Sequence, residues 1–452
     1  MSKRKEMDMT EGALLPKMLV FSIPLILSSI LQLLFNAADL VVVSRYGCDD
    51  ALGAVGSTGS LINLITNLFI GLSVGTNVLV ARFFAAKEAE NLKKTIHTSI
   101  LLSVILGVFL AILGILITPE ILKLMGLTGN ILKLASLYLQ IYFIGMPSVL
   151  LYNFGSAVLR AVGDTRRPLI YMIVSGIVNL GLNLLLVLGF NLDVEGVAIA
   201  TVISQTLSAI LIVITLTRYD GMLKLNLKEL RIDKKILGKI LVIGLPAGFQ
   251  GTLFSLSNVF IQSSVNSFGD TVIKGNAAAS NLEGFVYVAM NAYHQTALSF
   301  MSQNVGAGKK NRINKITVTS LILVSIVGLI LGNLVVIFER PLLSIYAKDN
   351  LAIIEAGIVR LRFICSVYFL CGIMDVMVGA LRGLGYSTMP MIVSLMGACV
   401  FRLIWLATVF RIDAFHTIET VYISYAISWI LTFAVHLICY IIVKRKYDRT
   451  HA

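Results

Sequence analysis

Charge is what this 452-residue chain has least of. Asp, Glu, Lys and Arg together make up 13% of it, against about 25% in an ordinary soluble domain. A surface that poor in charge excludes a water-soluble globular protein of this length. Cysteine is scarce as well. The five present (Cys48, Cys365, Cys371, Cys399 and Cys439) are odd in number and lack metal-ligand spacing, which speaks against a disulfide framework or a zinc site. No nucleotide-binding loop, metal cluster or nucleophile motif occurs, so catalysis is not expected and no cofactor is called for. No stretch reads as a folded soluble domain or a long tail. A non-transporting membrane scaffold or receptor would normally carry one, and would not need carboxylates inside its helices.

Hydrophobic residues fill the gap. They account for 57% of the chain, and the mean hydropathy is +0.89. Twelve apolar runs stand out, at 18–44, 54–81, 96–117, 134–159, 169–190, 194–216, 240–267, 276–305, 316–338, 356–381, 391–410 and 420–443. About 20 residues of helix cross the hydrocarbon core of a bilayer. Lipid offers the backbone no water to bond, so helices that satisfy it internally are the expected element. The sequence therefore predicts an all-α membrane protein with twelve transmembrane helices.

The twelve are two copies of six. Pro24 pairs with Pro246, Pro119 with Pro341 and Pro168 with Pro390, each across the same interval. That interval also lays Asn36 on Asn258, Gly47 on Gly269, Arg160 on Arg382 and Gly163 on Gly385. Near Arg82 the register slips by a single position, where RFFAAK meets QNVGAG. Such long-period self-similarity bounds the fold before any local reading. An even number of helices per copy makes the repeats parallel. The expected organisation is a tail at 1–15, a first lobe at 16–218, a linker at 219–236, a second lobe at 237–444 and a tail at 445–452.

Basic residues set the expected orientation. Of 37 Lys and Arg, 27 fall in the even-numbered connections and the two tails, and seven in the odd-numbered ones. That is the positive-inside pattern with both termini cytoplasmic. The net charge of +13 is thus topology rather than a nucleic-acid surface, since the basic residues are dispersed and lack stacking aromatics. The start runs straight into a full-length span, so no cleavable signal peptide is expected. The expected location is a cell membrane, of prokaryotic plasma-membrane type, with lipid as the surrounding partner and a monomer as the working unit.

Three acids lie within spans: Asp39, Glu283 and Asp375. A carboxylate in mid-helix costs about 2.5–3.5 kcal/mol on insertion scales, and so faces a partner or a cavity. Asn179 and Asn183 stand one turn apart on the fifth span, hence on one face. Helical rise puts them, Asp39 and Thr201 of the sixth span in the same half of the first lobe. These oxygens suit a hard cation, or a carboxylate whose protonation burial tunes. The alternative is that the two amides only hydrogen-bond between helices. In the second lobe, Glu283 and Arg402 share a similar depth. Glu283 is either a structural partner of Arg402 or a counter-charge for substrate. Tyr287 and His294 follow Glu283 at steps approximating one face, and an interhelical hydrogen bond is the bland reading of His294.

At this point the chain resembles a known family. The stretch from Pro24 through Gly59, with polar Gln32, Asn36 and Asp39 in an apolar helix, is similar to the first helix and loop of the multidrug and toxic compound extrusion family. RFFAAKE and its partner QNVGAGKK, the turns LRAVGDTRRP and LRGLGYSTMP, and Asn179 to Asn183 followed by GVAIATVIS resemble the same family. The resemblance implies a twelve-helix antiporter, its two six-helix lobes around a central cavity. It implies export of cationic or amphipathic compounds by alternating access, against inward sodium or proton flow. It implies a cation-coupling site at Asp39, Asn179, Asn183 and Thr201, which would ligate the metal if the ion is sodium. Asp375 matches an aspartate important in the sodium-driven branch. Gln32, Asn36, Glu283, Tyr287, His294, Asp375 and Arg402 are the substrate-cavity candidates.

The chain also departs from the pattern. GFQGTLFSLSNVFIQ has no acid where the sodium-driven branch carries one, and some members have aspartate where this chain has Asn183. Asp39 lands on Ile261 in the repeat and Asn183 on Trp405, so the lobes are chemically unequal. A major-facilitator transporter would show a glycine-and-arginine turn with an aspartate where ARFFAAKEAENLKK stands. A lipid-linked oligosaccharide or lipid flippase of the same superfamily would want a large basic cavity for pyrophosphate, yet the first lobe has few basic groups within its spans.

Overall fold

The structure is a computed structural model that describes residues 7–46, 48, 50–219, 221–347 and 350–450. Gly47, Lys348 and the tail residues Lys3, Arg4 and Lys5 lie outside the described residues. The described chain is helical: α1 (Leu14–Tyr46), α2 (Ala51–Ala85), α3 (Ala89–Leu124), α4 (Gly129–Ile144), α5 (Met146–Ala161), α6 (Arg166–Leu184), α7 (Val194–Thr217), α8 (Lys234–Asn266), α9 (Asp270–Gly306), α10 (Lys310–Ile337), α11 (Glu339–Ala347), α12 (Leu351–Ile364), α13 (Phe369–Gly383), α14 (Thr388–Ser394), α15 (Phe401–Ala407) and α16 (Ile418–Thr450). Among the described residues, nine helical stretches are long and apolar enough to cross a membrane, and the bent pairs α4–α5 and α12–α13 raise this to 11. The twelfth expected span is α9. It runs 37 residues, but Asn291, His294, Gln295 and Asn304 dilute its apolar character.

The repeat is visible in the backbone. Gly129–Ala161 and Leu351–Gly383 are related by the proline interval, and each bends by 47°. Both then end in the same left-handed cap. Gly163 (φ +91°) and Gly385 (φ +96°) donate to the carbonyls of Arg160 and Arg382, at 3.0 and 2.8 Å. The next amides, of Asp164 and Tyr386, reach back to Leu159 and Leu381. This Schellman arrangement satisfies carbonyls that a helix end would otherwise orphan. The slip in register is structural too: Lys87 (φ 58°) occupies the position of Gly308 (φ 66°). Glu88 bonds back to Phe83 as Lys309 does to Asn304. A lysine held left-handed costs about 1–2 kcal/mol, so the turn geometry is kept where glycine is not.

The chain forms two compact units. The first comprises Leu27–Gly248 with the described residues of Met1–Asp8. Its cores gather Val43, Ala54, Leu139, Phe143, Met146 and Val197 in one cluster, and Ile96, Val158, Leu159, Ile212 and Leu216 in another. Within it, α2 meets the first part of α8 backbone to backbone. A Cβ on Gly71 would lie 2.2 Å from Gly248 Cα, and one on Gly248 would lie 2.1 Å from the Leu68 carbonyl oxygen. Gly75 and Gly244 repeat the approach one turn away. Small residues four apart on both partners are how helices close up where lipid gives no hydrophobic drive. The second unit comprises Met9–Ile26 and Phe249–Ala452. It is built on α9, whose Ala278, Ala279 and Leu282 pack with Leu343, Ile354, Ile358 and Leu361.

The connector between α7 and α8 is tied to α3. Leu223 and Leu225 are buried in the first unit's core. The Asn226 amide donates to His97 Nε2 at 3.1 Å, Lys93 pairs with Glu229, and the Asp233 amide donates to Thr98 Oγ1 at 3.0 Å. Asp233 then caps α8, its Oδ1 accepting the amides of Lys235 at 2.9 Å and Ile236 at 3.0 Å.

Two outcomes are expected. Gly71→Ala and Gly248→Ala should each overpack the α2–α8 crossing and cost about 1–3 kcal/mol, read as a lower Tm. Gly238→Ala, with open space around the new methyl, should not. The amides of Ile236 and then Lys235 hold the Asp233 carboxylate below its ordinary range. That contribution is complete above the unfolded-state pKa and is lost as pH falls through the folded-state value. Protection of both amides from hydrogen exchange should therefore fall on acidification in the wild type and stay pH-insensitive in Asp233→Asn.

Candidate functional site

In the first unit, three helices bring the predicted polar set together. Asn183 on α6 donates through Nδ2 to Asp39 Oδ1 on α1, at 2.5 Å. The same Nδ2 lies 3.2 Å from Asn179 Oδ1, and Asn179 Nδ2 lies 3.4 Å from Thr201 Oγ1 on α7. The Thr201 hydroxyl itself donates to the Val197 main-chain oxygen at 2.9 Å. Asn183 is fully buried and Asn179 nearly so, while Asp39 is partly exposed. The one-turn spacing of the two amides on α6 puts both toward α1, and a wide π-type turn at Leu185–Gly189 follows directly. Such turns recur at functional positions because they re-aim neighbouring side chains.

Two features of this cluster suit a cation or a proton. Asp39 makes no ion pair among the described residues. Asn183 Oδ1 is a buried acceptor with no hydrogen-bond partner, a lone pair left idle in low dielectric, which normally costs about 1–3 kcal/mol. Gln32 and Asn36 stand seven and three residues before Asp39, hence on its face of α1, and both are exposed. Tyr138 on α4, which sequence reasoning missed, lies near enough to Asp39 to feel its charge. A tyrosine in a leucine-rich span that also carries Tyr142 and Tyr152 gives little signal beforehand.

The second unit corrects one expectation: Glu283 does not take Arg402. It takes Arg360 of α12, whose Nη2 and Nε lie 2.7 and 2.9 Å from Glu283 Oε2. Arg360 Nη1 donates to Asn276 Oδ1 at 2.7 Å, and the Tyr422 hydroxyl donates to that same oxygen at 3.0 Å. Both charges are more than nine-tenths buried. This is a satisfied ionic network tying α9, α12 and α16 together. Tyr287 and His294 do not converge on it. Tyr287 is 37% exposed, and His294 Nδ1 donates to the Asp375 main-chain oxygen at 2.7 Å. Asp375 is buried, with no ion pair among the described residues. Among the described residues there is no group of three or more His, Cys, Asp and Glu that could hold a metal ion.

Breaking a buried pair on one side leaves an uncompensated charge, worth about 3–5 kcal/mol. Glu283→Gln or Arg360→Met alone should therefore lower Tm strongly, and the double variant should recover most of the loss. Additive losses in thermal melts would refute the network's structural role.

The comparisons with known proteins follow the same repeat. Two stretches, residues 24–185 and 246–407, each match the MatE family, and they start on the first of the proline pairs, Pro24 and Pro246. The chain is 28% identical over 385 residues to the probable multidrug resistance protein YoeA of Bacillus subtilis, covering 84% of this chain and 83% of that one. It is 27% identical over 341 residues to the FAD transporter of Shewanella oneidensis, covering 74% of each. Its fold matches a solved outward-facing multidrug resistance MATE family transporter of the MOP superfamily with a TM-score of 0.92, at 21% identity, over 99% of this chain and 100% of that one. With both repeats matched and the helical fold shared end to end, the chain belongs to the MatE family of multidrug efflux transporters.

Proposed function

We propose that the chain is a cation-coupled antiporter that exports cationic or amphipathic small molecules by alternating access, with sodium or protons as the driving ion. The observation that carries this reading is the Asp39 carboxylate. It is hydrogen-bonded by Asn183, ringed by neutral oxygens, and without a basic partner among the described residues. An ion or proton arriving there neutralises it. The first lobe then repacks without exposing an isolated charge to hydrocarbon, so ion binding and conformation are linked. A sodium ion would draw on Asp39, the idle Oδ1 of Asn183, Asn179 and Thr201, a set of hard oxygens. A proton would need Asp39 alone.

The basic bias of the even-numbered connections supports a cell-membrane orientation with both termini cytoplasmic. In that orientation export means transfer away from the linker side. Relatives named as multidrug resistance proteins and as an FAD transporter differ in cargo, so the cargo of this chain has to be read from its own residues.

Reconstitution into liposomes with sodium and pH gradients imposed separately tests the proposal. Export should respond to one gradient and be abolished in Asp39→Asn at normal expression, because among the four only Asp39 carries charge. Asn179→Ala and Asn183→Ala should weaken coupling by about two- to tenfold, the worth of one neutral ligand. Gradient-driven export at full rate by Asp39→Asn would end the reading.

A further inference from the structure

Arg402 is the buried charge that the transport reading leaves unused. It follows a π-type turn at Leu395–Val400, which re-aims the residues after it. It is 6% exposed, yet no carboxylate pairs with it among the described residues. Glu283 is committed to Arg360. What Arg402 has instead is aromatic. Its guanidinium carbon sits 4.0 Å from the ring centre of Tyr425 and 5.6 Å from that of Trp429. Nε donates to Ser428 Oγ at 2.8 Å, and that hydroxyl is pinned by its own bond to the Tyr425 carbonyl. Trp429 is held in turn by Tyr368, at 5.4 Å between ring centres, and by Tyr425 at 5.8 Å.

The guanidinium is thus oriented but not neutralised. Its Nη nitrogens make no hydrogen bond with the described residues, and neither is among the sealed, partnerless atoms. An arginine kept in an apolar span without a counter-ion is costly, and cation–π stacking returns only part of that cost. The planar fork left open on Nη1 and Nη2 matches an oxyanion bidentately. The rings of Tyr425 and Trp429, both buried, hold the guanidinium plane in place beside it.

We propose that Arg402, held in plane by Tyr425 and Trp429, forms a substrate subsite in the second lobe for an oxyanion, carboxylate or phosphate, on an amphipathic molecule. The proposal rests on the transport reading and narrows its cargo: at this end the recognised group is negative, so zwitterionic or anionic amphipaths are taken as well as cations.

Equilibrium binding to the purified full chain in lipid nanodiscs tests it, with no ion gradient and no transport step. Two matched probe pairs separate the sources of the oxyanion. Rhodamine 110 and rhodamine 123 differ by a free carboxylate against its methyl ester; riboflavin 5′-phosphate and riboflavin differ by the phosphate. Wild type should prefer the charged member of at least one pair by about tenfold, the worth of a charge-assisted hydrogen bond. Preference within the rhodamine pair alone assigns a carboxylate, and within the flavin pair alone a phosphate. Arg402→Gln should bring that ratio to about one, and Arg402→Lys should keep part of it. A ratio of one in the wild type, or an unchanged ratio in Arg402→Gln, overturns the proposal.

Should Arg402→Gln fail to fold, a second measurement keeps Arg402 in place. The chain has two tryptophans, so Trp405→Phe leaves Trp429 as sole reporter. The charged flavin should quench it at lower concentration than the neutral one, and equal quenching overturns the proposal. Failure of gradient-driven export alongside an intact charge preference would sink the coupling reading and leave the subsite standing.

Discussion

Hydrocarbon cannot solvate a charge, and that constraint orders the rest of this structure. Each ionised or polar group inside a span must find its partner within the protein, or be kept for a ligand that comes and goes. Arg360 and Glu283 are the first case, closed by Asn276 and Tyr422 into a network with no loose end. Asp39 and Arg402 are the second. Each is oriented by a neutral hydrogen bond, from Asn183 and to Ser428. Neither has a counter-ion among the described residues. The same logic governs the backbone, where left-handed caps satisfy carbonyls that the helix ends would otherwise leave unpaired.

What the sequence made legible is what has a fixed period or a fixed chemistry. The constant proline interval located both repeats because prolines and left-handed glycines are needed at set points of the backbone, and these come out as matching bends and caps. The Asp39 cluster was legible because two amides one turn apart must share a face, and because helical rise places them at the height of Asp39. Glu283 shows where this runs out. Rise gives depth, and depth alone suggested Glu283 and Arg402 as a pair. Azimuth is another matter. The π-type turn at Leu395–Val400 inserts about one residue, which rotates everything after it by about 100°. The 47° bend between α12 and α13 likewise changes the direction of the span that carries Arg360. Neither irregularity has a proline or a glycine pair to announce it at the point where it occurs.

The two units share a backbone plan and not a polar plan, and the energetics say why they diverged in blocks. Carrying the second unit's network back across the repeat replaces Arg360 with Tyr138, Asn276 with Ala54 and Tyr422 with Ala200; Glu283 falls on Leu61, or on Ile62 if the slip is counted. In the other direction Asp39 becomes Ile261 and Asn183 becomes Trp405. No half-network survives in either copy. Losing one member of a buried ionic set leaves its partner uncompensated, at about 3–5 kcal/mol, whereas losing all members for apolar residues is close to neutral. Turn residues behave differently. The left-handed cap tolerates Lys87 in place of glycine at modest cost, so the turn persists through single substitutions. Duplication therefore fixes where the helices bend and stop, and leaves each lobe free to acquire a complete polar set of its own. On the same scaffold the first lobe consequently carries Asp39, and the second Asp375 and Arg402, without an ion pair among the described residues.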